Sequence, residues 1–262
     1  MKTGIFVLIL GYMYTLKKSL GQHFLKDESV CQRIVEALQQ KQFQRLLEVG
    51  PGGGALTKYL IQLPNIDFKL VEIDREKVDF LHKTYPQLVG KITEESILDT
   101  SIPFDQPFTL IGNFPYNIST QIVFKVIEWR EQVETMIGMF QKEVAERICA
   151  GPGNKEYGIL SVLSQAYFKT TYLFDVDEEA FNPPPKVKSG VIQFDYLGNP
   201  YGIQQHRKFL VLVKAAFGQR RKQLRNPLKP YFKTEILQDP IFTKRAEQLS
   251  VQDFVDLLNR MN

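Results

Sequence analysis

Short apolar runs alternate with amphipathic stretches along the chain up to about residue 197. Runs of strand length occur in RLLEV before Gly50, at residues 68–73, 91–94, 108–112 and 134–140, and in TTYLFDV and SGVIQFDY further on. Helical spacing of apolar residues separates them at residues 27–40, in ALTKYLIQL, and at residues 76–83, 119–129, 141–150 and 157–168. This alternation predicts an α/β fold with a seven-stranded, mostly parallel sheet and helices on both faces.

After residue 197 the pattern becomes entirely helical. Helices are expected in QQHRKFLVLVKAAF, in RRKQLRNPL, and in a final segment that Ser250 opens, with Asp253 three positions later as in a capping box. The glycine- and proline-containing LGNPYG at residues 197–202 is the natural linker. We therefore expect a Rossmann-like domain over residues 17–197 and a small all-helical domain over residues 198–262.

Residues 1–16 are expected to form an extension outside both domains. The apolar run at residues 5–10 follows one lysine and resembles the apolar core of a secretion signal, but it is too short to span a bilayer. No small-residue cleavage pattern follows it, and Lys17 and Lys18 come soon after. We favour translation from Met13 over secretion.

The formal net charge is only +4, but the charges are unevenly distributed. Between Tyr201 and Lys233 there are nine Lys and Arg and no Asp or Glu, so the remainder of the chain is net acidic. A basic region on an acidic body is typical of polyanion binding, with a solvated helix face as the alternative. Cys31 and Cys149 fit neither a metal-ligand spacing nor a disulfide framework, which suits two reduced cysteines in the cytoplasm.

A glycine-rich turn, Gly50-Pro51-Gly52-Gly53-Gly54, joins the first predicted strand to a helix. Glycines there let the backbone and a helix N-terminus approach a ligand closely. Glu72 ends the second strand, where a carboxylate can accept hydrogen bonds from both hydroxyls of a ribose. This pair indicates a nucleoside cofactor without separating NAD from S-adenosylmethionine. Glu48 favours S-adenosylmethionine, because an acid there suits an ammonium or sulfonium and would repel a pyrophosphate.

The stretch GNFPYNIST at residues 112–120 follows the fourth strand and predicts a pocket for an amino-bearing base. The side-chain oxygen of Asn113 and the backbone carbonyl of Phe114 can share the two hydrogens of an adenine N6 amine. Pro115 rigidifies the segment, and the ring of Tyr116 offers a stacking face worth about 1–3 kcal/mol. The alternative is a buried strand that ends in a proline turn.

Four motifs in order, GQHFL, LEVGPGGGALT, GNFPYNIST and FNPPPKVKS, resemble the small-subunit ribosomal RNA adenine dimethyltransferases, the KsgA/RsmA family. The resemblance covers nearly the whole chain from about Lys17. It implies a class I S-adenosylmethionine-dependent methyltransferase fold and dimethylation of two adjacent adenosines near the 3′ end of 16S rRNA. Erm-type 23S rRNA methyltransferases share the first three motifs, but the triple proline and AFGQRRKQLRNPL favour the small-subunit family.

The resemblance also implies which residues contact the cofactor. His23 and Leu25 would touch its methionine end, although the family commonly has Asn in place of His23. Gly50 would lie against the cofactor, Glu72 on its ribose, and Asn113 near both the methyl group and the target amine.

Three further assignments rest on the same resemblance. Ser96 stands where the family has an Asp that accepts from the cofactor's adenine, with Glu95 or Asp99 as alternatives. Phe181 would close on the target base opposite Tyr116. A basic set would contact RNA phosphates, namely Arg220, Arg221, Lys222 and Arg225.

The expected partner is therefore 16S rRNA in an immature small ribosomal subunit, and we expect a monomer without a metal or a membrane contact. Two other hypotheses stay open: an Erm-type enzyme for 23S rRNA, and a non-catalytic assembly factor with the same fold. The Ser96 departure leaves room for the latter, whereas the intact Asn113 and Tyr116 argue against it.

Overall fold

The computed structural model of the chain describes residues 5–9, 12–16 and 23–262. Its strands are β1 (Ile5–Ile9), β2 (Tyr12–Leu16), β3 (Phe24–Leu25), β4 (Arg45–Val49), β5 (Asp67–Val71), β6 (Ile92–Thr93), β7 (Phe108–Asn113), β8 (Val133–Gln141), β9 (Phe168–Val176), β10 (Phe181–Asn182) and β11 (Ser189–Tyr196). Residues 1–4, 10–11 and 17–22, with Lys17, Lys18 and the first two residues of GQHFL, lie outside this described part. The assignment of an N-terminal extension stays a prediction.

The central sheet has the strand order β6-β5-β4-β7-β8-β11-β9. Neighbouring strands from β6 to β8 run parallel, and β11 joins antiparallel to β8. Consecutive residues of β4 point to opposite faces, yet Leu46 and Leu47 are both 0% exposed. Both faces are therefore covered, as in a parallel sheet flanked by helices. The predicted seven-stranded, mostly parallel α/β fold is confirmed.

The helices follow the predicted order. They are α1 (Glu28–Gln39), α2 (Thr57–Leu60), α3 (Arg75–Thr84), α4 (Ser119–Glu128), α5 (Lys142–Cys149), α6 (Ile159–Gln165), α7 (His206–Gly218), α8 (Arg225–Leu228) and α9 (Val251–Arg260). Two caps form as the sequence suggests, since Asp27 accepts from the first turn of α1 and Ser250 with Asp253 closes a capping box on α9. The α8 helix is much shorter than the predicted RRKQLRNPL helix, because Pro227 lies within it and Pro230 just beyond.

Two short pairings were not predicted. The β1 and β2 strands pair antiparallel, and β3 pairs antiparallel with β10, which joins Leu25 to Phe181 and Phe24 to Asn182. The second pairing ties the segment after GQ to the FNPPPK segment far along the chain.

The chain divides into two compact units. The first comprises Met1–Ala145 and Thr171–Asp195, and the second comprises Glu146–Thr170 and Tyr196–Asn262. Buried apolar residues of α7 and α9, among them Phe209 and Phe254, form the core of the second unit. The division predicted at residue 197 separates a catalytic from an RNA-binding domain, whereas these two units are defined by compactness alone. The predicted domain boundary therefore stays a prediction. In the described part of the chain no helix has the length and apolar character needed to cross a membrane.

Candidate functional site

A pocket opens where the carboxyl ends of β4, β5 and β7 meet. The sequence-predicted residues that line it are His23, Leu25, Glu48, Gly50, Glu72, Ser96, Asn113, Phe114 and Tyr116. The sheet order reverses here, since β5 lies on one side of β4 and β7 on the other. Open α/β sheets bind ligands at this kind of topological switch point.

The glycine turn forms the floor of the pocket with bare backbone. Gly50 and Gly52 have φ values of +68° and +54°, which residues other than glycine rarely adopt. The N–H of Gly50 donates to the Val71 carbonyl at 2.9 Å, which fastens the turn to the end of β5. Backbone atoms of the turn can therefore lie directly against a ligand.

Glu72 is held at the pocket wall by backbone donors. Its side chain is 5% exposed, Oε2 accepts from the N–H of Gly52 at 3.0 Å, and Oε1 accepts from the N–H of Asp74 at 2.9 Å. Burial raises the pKa of Glu72, and the two N–H groups oppose this effect. Each carboxylate oxygen keeps a further lone pair, so both can still accept from hydroxyl groups of a ligand.

Glu48 lies deeper, at 1% exposure, and its Oε2 accepts from the hydroxyl of Thr57 at 2.8 Å. Burial raises the pKa of Glu48 to about 8, and the nearby charge of Glu72 adds to this. A carboxyl group with this pKa holds its proton near neutral pH. A cation bound beside it would favour the ionised form.

Lys77 is a pocket residue that sequence reasoning missed. It lies in the first turn of α3, is 1% exposed, and lines the pocket with Glu72 and Ile73. The signal was present, because residues 77, 78, 80 and 81 form the inward face of α3, and a lysine there breaks the apolar pattern.

Asn113 and Phe114 form the other side of the pocket. Asn113 ends β7, and its Nδ2 donates to the backbone carbonyl of His23 at 3.4 Å, which leaves Oδ1 out of that bond. Phe114 is buried, with its ring centroid 5.1 Å from that of Phe140, and its N–H donates to Met139 of the neighbouring β8 at 3.2 Å. The buried ring anchors the segment on which the Asn113 amide and the Phe114 carbonyl lie.

Tyr116 is half-buried at the pocket wall and is held from two sides. Its hydroxyl and that of Ser189 are 2.5 Å apart, and its ring lies 5.5 Å from that of His23 at an interplanar angle of 29°. His23 Nδ1 is in turn 2.9 Å from the carbonyl oxygen of Pro183 in the FNPPPK segment. His23 therefore contacts Asn113, Tyr116 and Pro183 at once.

Ser96 and its two alternatives, Glu95 and Asp99, do not all lie in this pocket. Ser96 and Glu95 line the pocket, whereas Asp99 lines a separate polar recess with Lys69 and Lys91. The Ser96 hydroxyl accepts from the N–H of Leu98 at 3.2 Å.

The structure does not bring Phe181 to the pocket. Its side chain is 1% exposed, pairs with Leu25 through β3 and β10, and belongs to the hydrophobic core. The contact of Phe181 with a target base stays a prediction, and in this conformation the side chain lies in the core and away from the pocket. Within the described residues, no group of three His, Cys, Asp or Glu side chains is placed to hold a metal ion.

The predicted basic set in the second unit divides into two kinds of residue. Arg221, Lys222 and Arg225 are exposed, although Nε of Arg225 also donates to the Leu237 carbonyl at 3.1 Å. Arg220 is half-buried, pairs with Glu247 at 2.9 Å, and donates to the Lys155 carbonyl. Arg220 is therefore engaged within its own unit.

Similar proteins place the fold and the motifs in one family. The family described as "Ribosomal RNA adenine dimethylase" matches residues 13–262. The chain is 50% identical over 253 residues to the Ribosomal RNA small subunit methyltransferase A of Flavobacterium johnsoniae, covering 94% of this chain and 95% of that one. It is 48% identical to the protein of the same name from Cytophaga hutchinsonii, covering 94% and 97%.

Two solved structures share the fold. A dimethyladenosine transferase from Plasmodium falciparum has a TM-score of 0.75 at 24% identity, covering 91% of this chain and 99% of that one. The 23S rRNA methyltransferase ErmE has a TM-score of 0.69 at 21% identity, with the same coverage. With the family match over residues 13–262, the chain belongs to the ribosomal RNA adenine dimethylase family.

Proposed function

We propose that this chain uses S-adenosylmethionine to dimethylate N6 of two adjacent adenosines near the 3′ end of 16S rRNA, in an assembling small ribosomal subunit. One observation carries the proposal: Asn113 and Tyr116 line the same pocket as the glycine turn and Glu72. A base held by the first pair would meet a cofactor held by the second.

The donor set of the pocket fits S-adenosylmethionine. Glu72 would accept from the ribose hydroxyls, and the bare backbone at Gly50 and Gly52 would lie against the cofactor. Glu48 is the acidic group for its cationic part, and a bound cation would lower the pKa of that carboxyl from about 8. Ser96, with a hydroxyl in place of a carboxylate, would accept from the adenine amine. When bound, the cofactor supplies an electrophilic methyl group on sulfur.

For the target adenine, the pocket supplies acceptors and a platform rather than a strong base. The oxygens of the Asn113 amide and the Phe114 carbonyl would accept the two N6 hydrogens and direct the nitrogen lone pair towards the methyl group. The Tyr116 ring would stack on the base, which must first leave its stack in the RNA. Positioning of this kind supplies most of the acceleration, and the amine passes a proton to solvent water after it has taken the methyl group and become cationic.

The exposed basic residues of the second unit would contact phosphates. Arg221, Lys222 and Arg225 carry charge on its surface, and phosphate contacts fix the position of an RNA without reading its sequence. Arg220 contributes charge to the same region while its guanidinium is bound within the unit.

The experiment supplies the purified protein with S-adenosylmethionine carrying a labelled methyl group and with small subunits that lack the modification. We expect label in 16S rRNA as dimethyladenosine. Asn113→Ala should reduce transfer by at least about a hundredfold, since the amine loses one of its two acceptors. The matched control is Asn259→Ala, an exposed amide on α9, which should transfer normally.

Three outcomes would contradict this proposal. Label in naked 23S rRNA and not in small subunits would indicate an Erm-type specificity. Normal transfer by Asn113→Ala would refute the role of its amide. Cofactor binding without transfer to any RNA would favour a non-catalytic assembly factor.

A further inference from the structure

Lys77 is a buried lysine that the proposed reaction does not use. Its neighbours on the inward face of α3 are Val78, Phe80 and Leu81, all apolar and buried. Burying an ammonium among apolar groups is costly unless an opposite charge is close. A methionine of similar length would fill this position without that cost, so the charge itself calls for an explanation.

Two carboxylates are buried next to Lys77. Glu72 is 5% exposed and Asp74 is 3% exposed, and Glu72 and Lys77 line the same pocket. Burial raises the pKa of Glu72, and the charge of Asp74 raises it further. The N–H groups of Asp74 and Gly52 and the ammonium of Lys77 lower it. Lys77 thus supplies the positive side chain in a site where two negative ones are crowded.

We propose that Lys77 is a positioning residue for nucleoside binding, whose buried ammonium keeps the carboxylate of Glu72 ionised so that both of its oxygens accept from a vicinal diol. The inference deepens the proposed function, because the diol is the ribose of the proposed cofactor. A protonated Glu72 would offer one hydroxyl donor and lose acceptor capacity on the ligand side. Lys77 therefore acts through Glu72 and needs no contact with the ligand.

The test is the affinity for S-adenosylhomocysteine, the demethylated product, measured by titration calorimetry from about pH 5.5 to about pH 9. In Lys77→Met the pKa of Glu72 rises, so the loss of affinity on acidification should begin at a higher pH than in the unchanged protein. We expect weaker binding than in the unchanged protein at the acid end, and convergence of the two proteins at the alkaline end, where Glu72 is ionised in both.

Other charged groups face Glu72, so two backgrounds isolate its contribution. Glu48 lies on β4, Asp74 precedes α3, and Glu95 follows β6 and lines the same pocket. With Glu72→Gln, Lys77→Met should change the affinity equally at every pH. With Glu48→Gln, the pH-dependent difference should persist. Lys77→Arg should restore the acid-side affinity, provided that its thermal unfolding matches that of the unchanged protein.

The outcomes separate this inference from the proposed function. An unchanged protein that fails to bind S-adenosylhomocysteine would refute the proposed cofactor. An unchanged protein that binds, with a Lys77→Met variant that is equally weakened at all pH values or not weakened at all, would refute the role of Lys77 alone. A folded variant with an acid-side loss that disappears in the Glu72→Gln background would establish it.

Discussion

Glu48 links the chemistry of the pocket to the stability of the fold. Its folded pKa of about 8 lies above the ordinary value of 4.5, so the folded protein binds more protons than the unfolded chain between these values. The contribution of Glu48 to stability is therefore fully present below about pH 4.5 and is lost as the pH rises through about 8. The slope is at most about 1.4 kcal/mol per pH unit.

Replacing Glu48 with Gln should remove this dependence, because a neutral amide can still accept from the Thr57 hydroxyl. We expect Glu48→Gln to gain stability over the unchanged protein as the pH rises, by up to a few kcal/mol at about pH 8. Urea unfolding of both proteins at several pH values measures the difference. All other titrating groups are common to the two proteins, so a constant difference at every pH would show that folding does not raise the pKa of Glu48.

At the residue scale, the sequence could predict which residues line the pocket where a residue type and a strand end coincide. Glu72, Ser96 and Asn113 all follow or end parallel strands, and the carboxyl ends of these strands converge by topology. Lys77 was missed because a lysine within a helix ordinarily extends to solvent, although its position on the apolar face of α3 was a signal that the sequence contained. The engagement of Arg220 by Glu247 was likewise invisible, because their pairing depends on tertiary contacts.

At the element scale, β7 and β8 make room through two glycines for the segment that contains Asn113, Phe114 and Pro115. A Cβ on Gly138 of β8 would lie 2.2 Å from Cε2 of Phe114, and a Cβ on Gly112 of β7 would lie 2.6 Å from Cε1 of the same ring. The Phe114 ring therefore occupies space that is free only because both positions are glycine. Its placement holds the neighbouring Asn113 and Pro115.

We predict that Gly138→Ala displaces this ring and the segment that carries it. The expected cost is about 1–3 kcal/mol of stability, as for overpacking of a core, together with a larger loss of methyl transfer than of cofactor affinity. Urea unfolding and labelled transfer assays measure the two effects. The control is Gly151→Ala, where a Cβ has nothing within 4 Å and φ is unexceptional. Transfer at the normal rate by Gly138→Ala would show that the segment tolerates the shift.

Long elements with periodic patterns and caps were predictable, and short ones were not. The twelve residues of α1 and the ten of α9 combine an apolar face with a side-chain cap. The two-residue strands β3 and β10 carry no measurable period, and their pairing joins segments about 156 residues apart. In RRKQLRNPL the helical spacing outweighed Pro227 in the prediction, whereas Pro227 and Pro230 confine α8 to four residues.

At the scale of the whole molecule, a large share of the positive charge lies in the second unit. The nine cationic residues between Tyr201 and Lys233 fall in this unit, but the structure separates exposed from engaged ones. Arg220 joins Glu247 and the Lys155 carbonyl, and the N–H of Gly153 also donates to the Glu247 carbonyl at 2.7 Å. Arg220 therefore helps to fasten the loop at residues 151–156, while Arg221 and Lys222 are exposed.

This difference predicts opposite results for neighbouring arginines. Arg221→Gln and Lys222→Gln together should weaken binding to unmethylated small subunits and reduce the slope of log affinity against log salt by about one for each lost phosphate contact. Their stability should change by less than about 0.5 kcal/mol, as is usual for surface positions. Arg220→Gln should instead lower the stability by about 1 kcal/mol and leave most of the salt slope intact. Binding at several salt concentrations and urea unfolding of the same variants test both statements. An Arg220 variant that loses as much of the slope as the others, with unchanged stability, would place Arg220 on the RNA and make its contacts with Glu247 and Lys155 incidental.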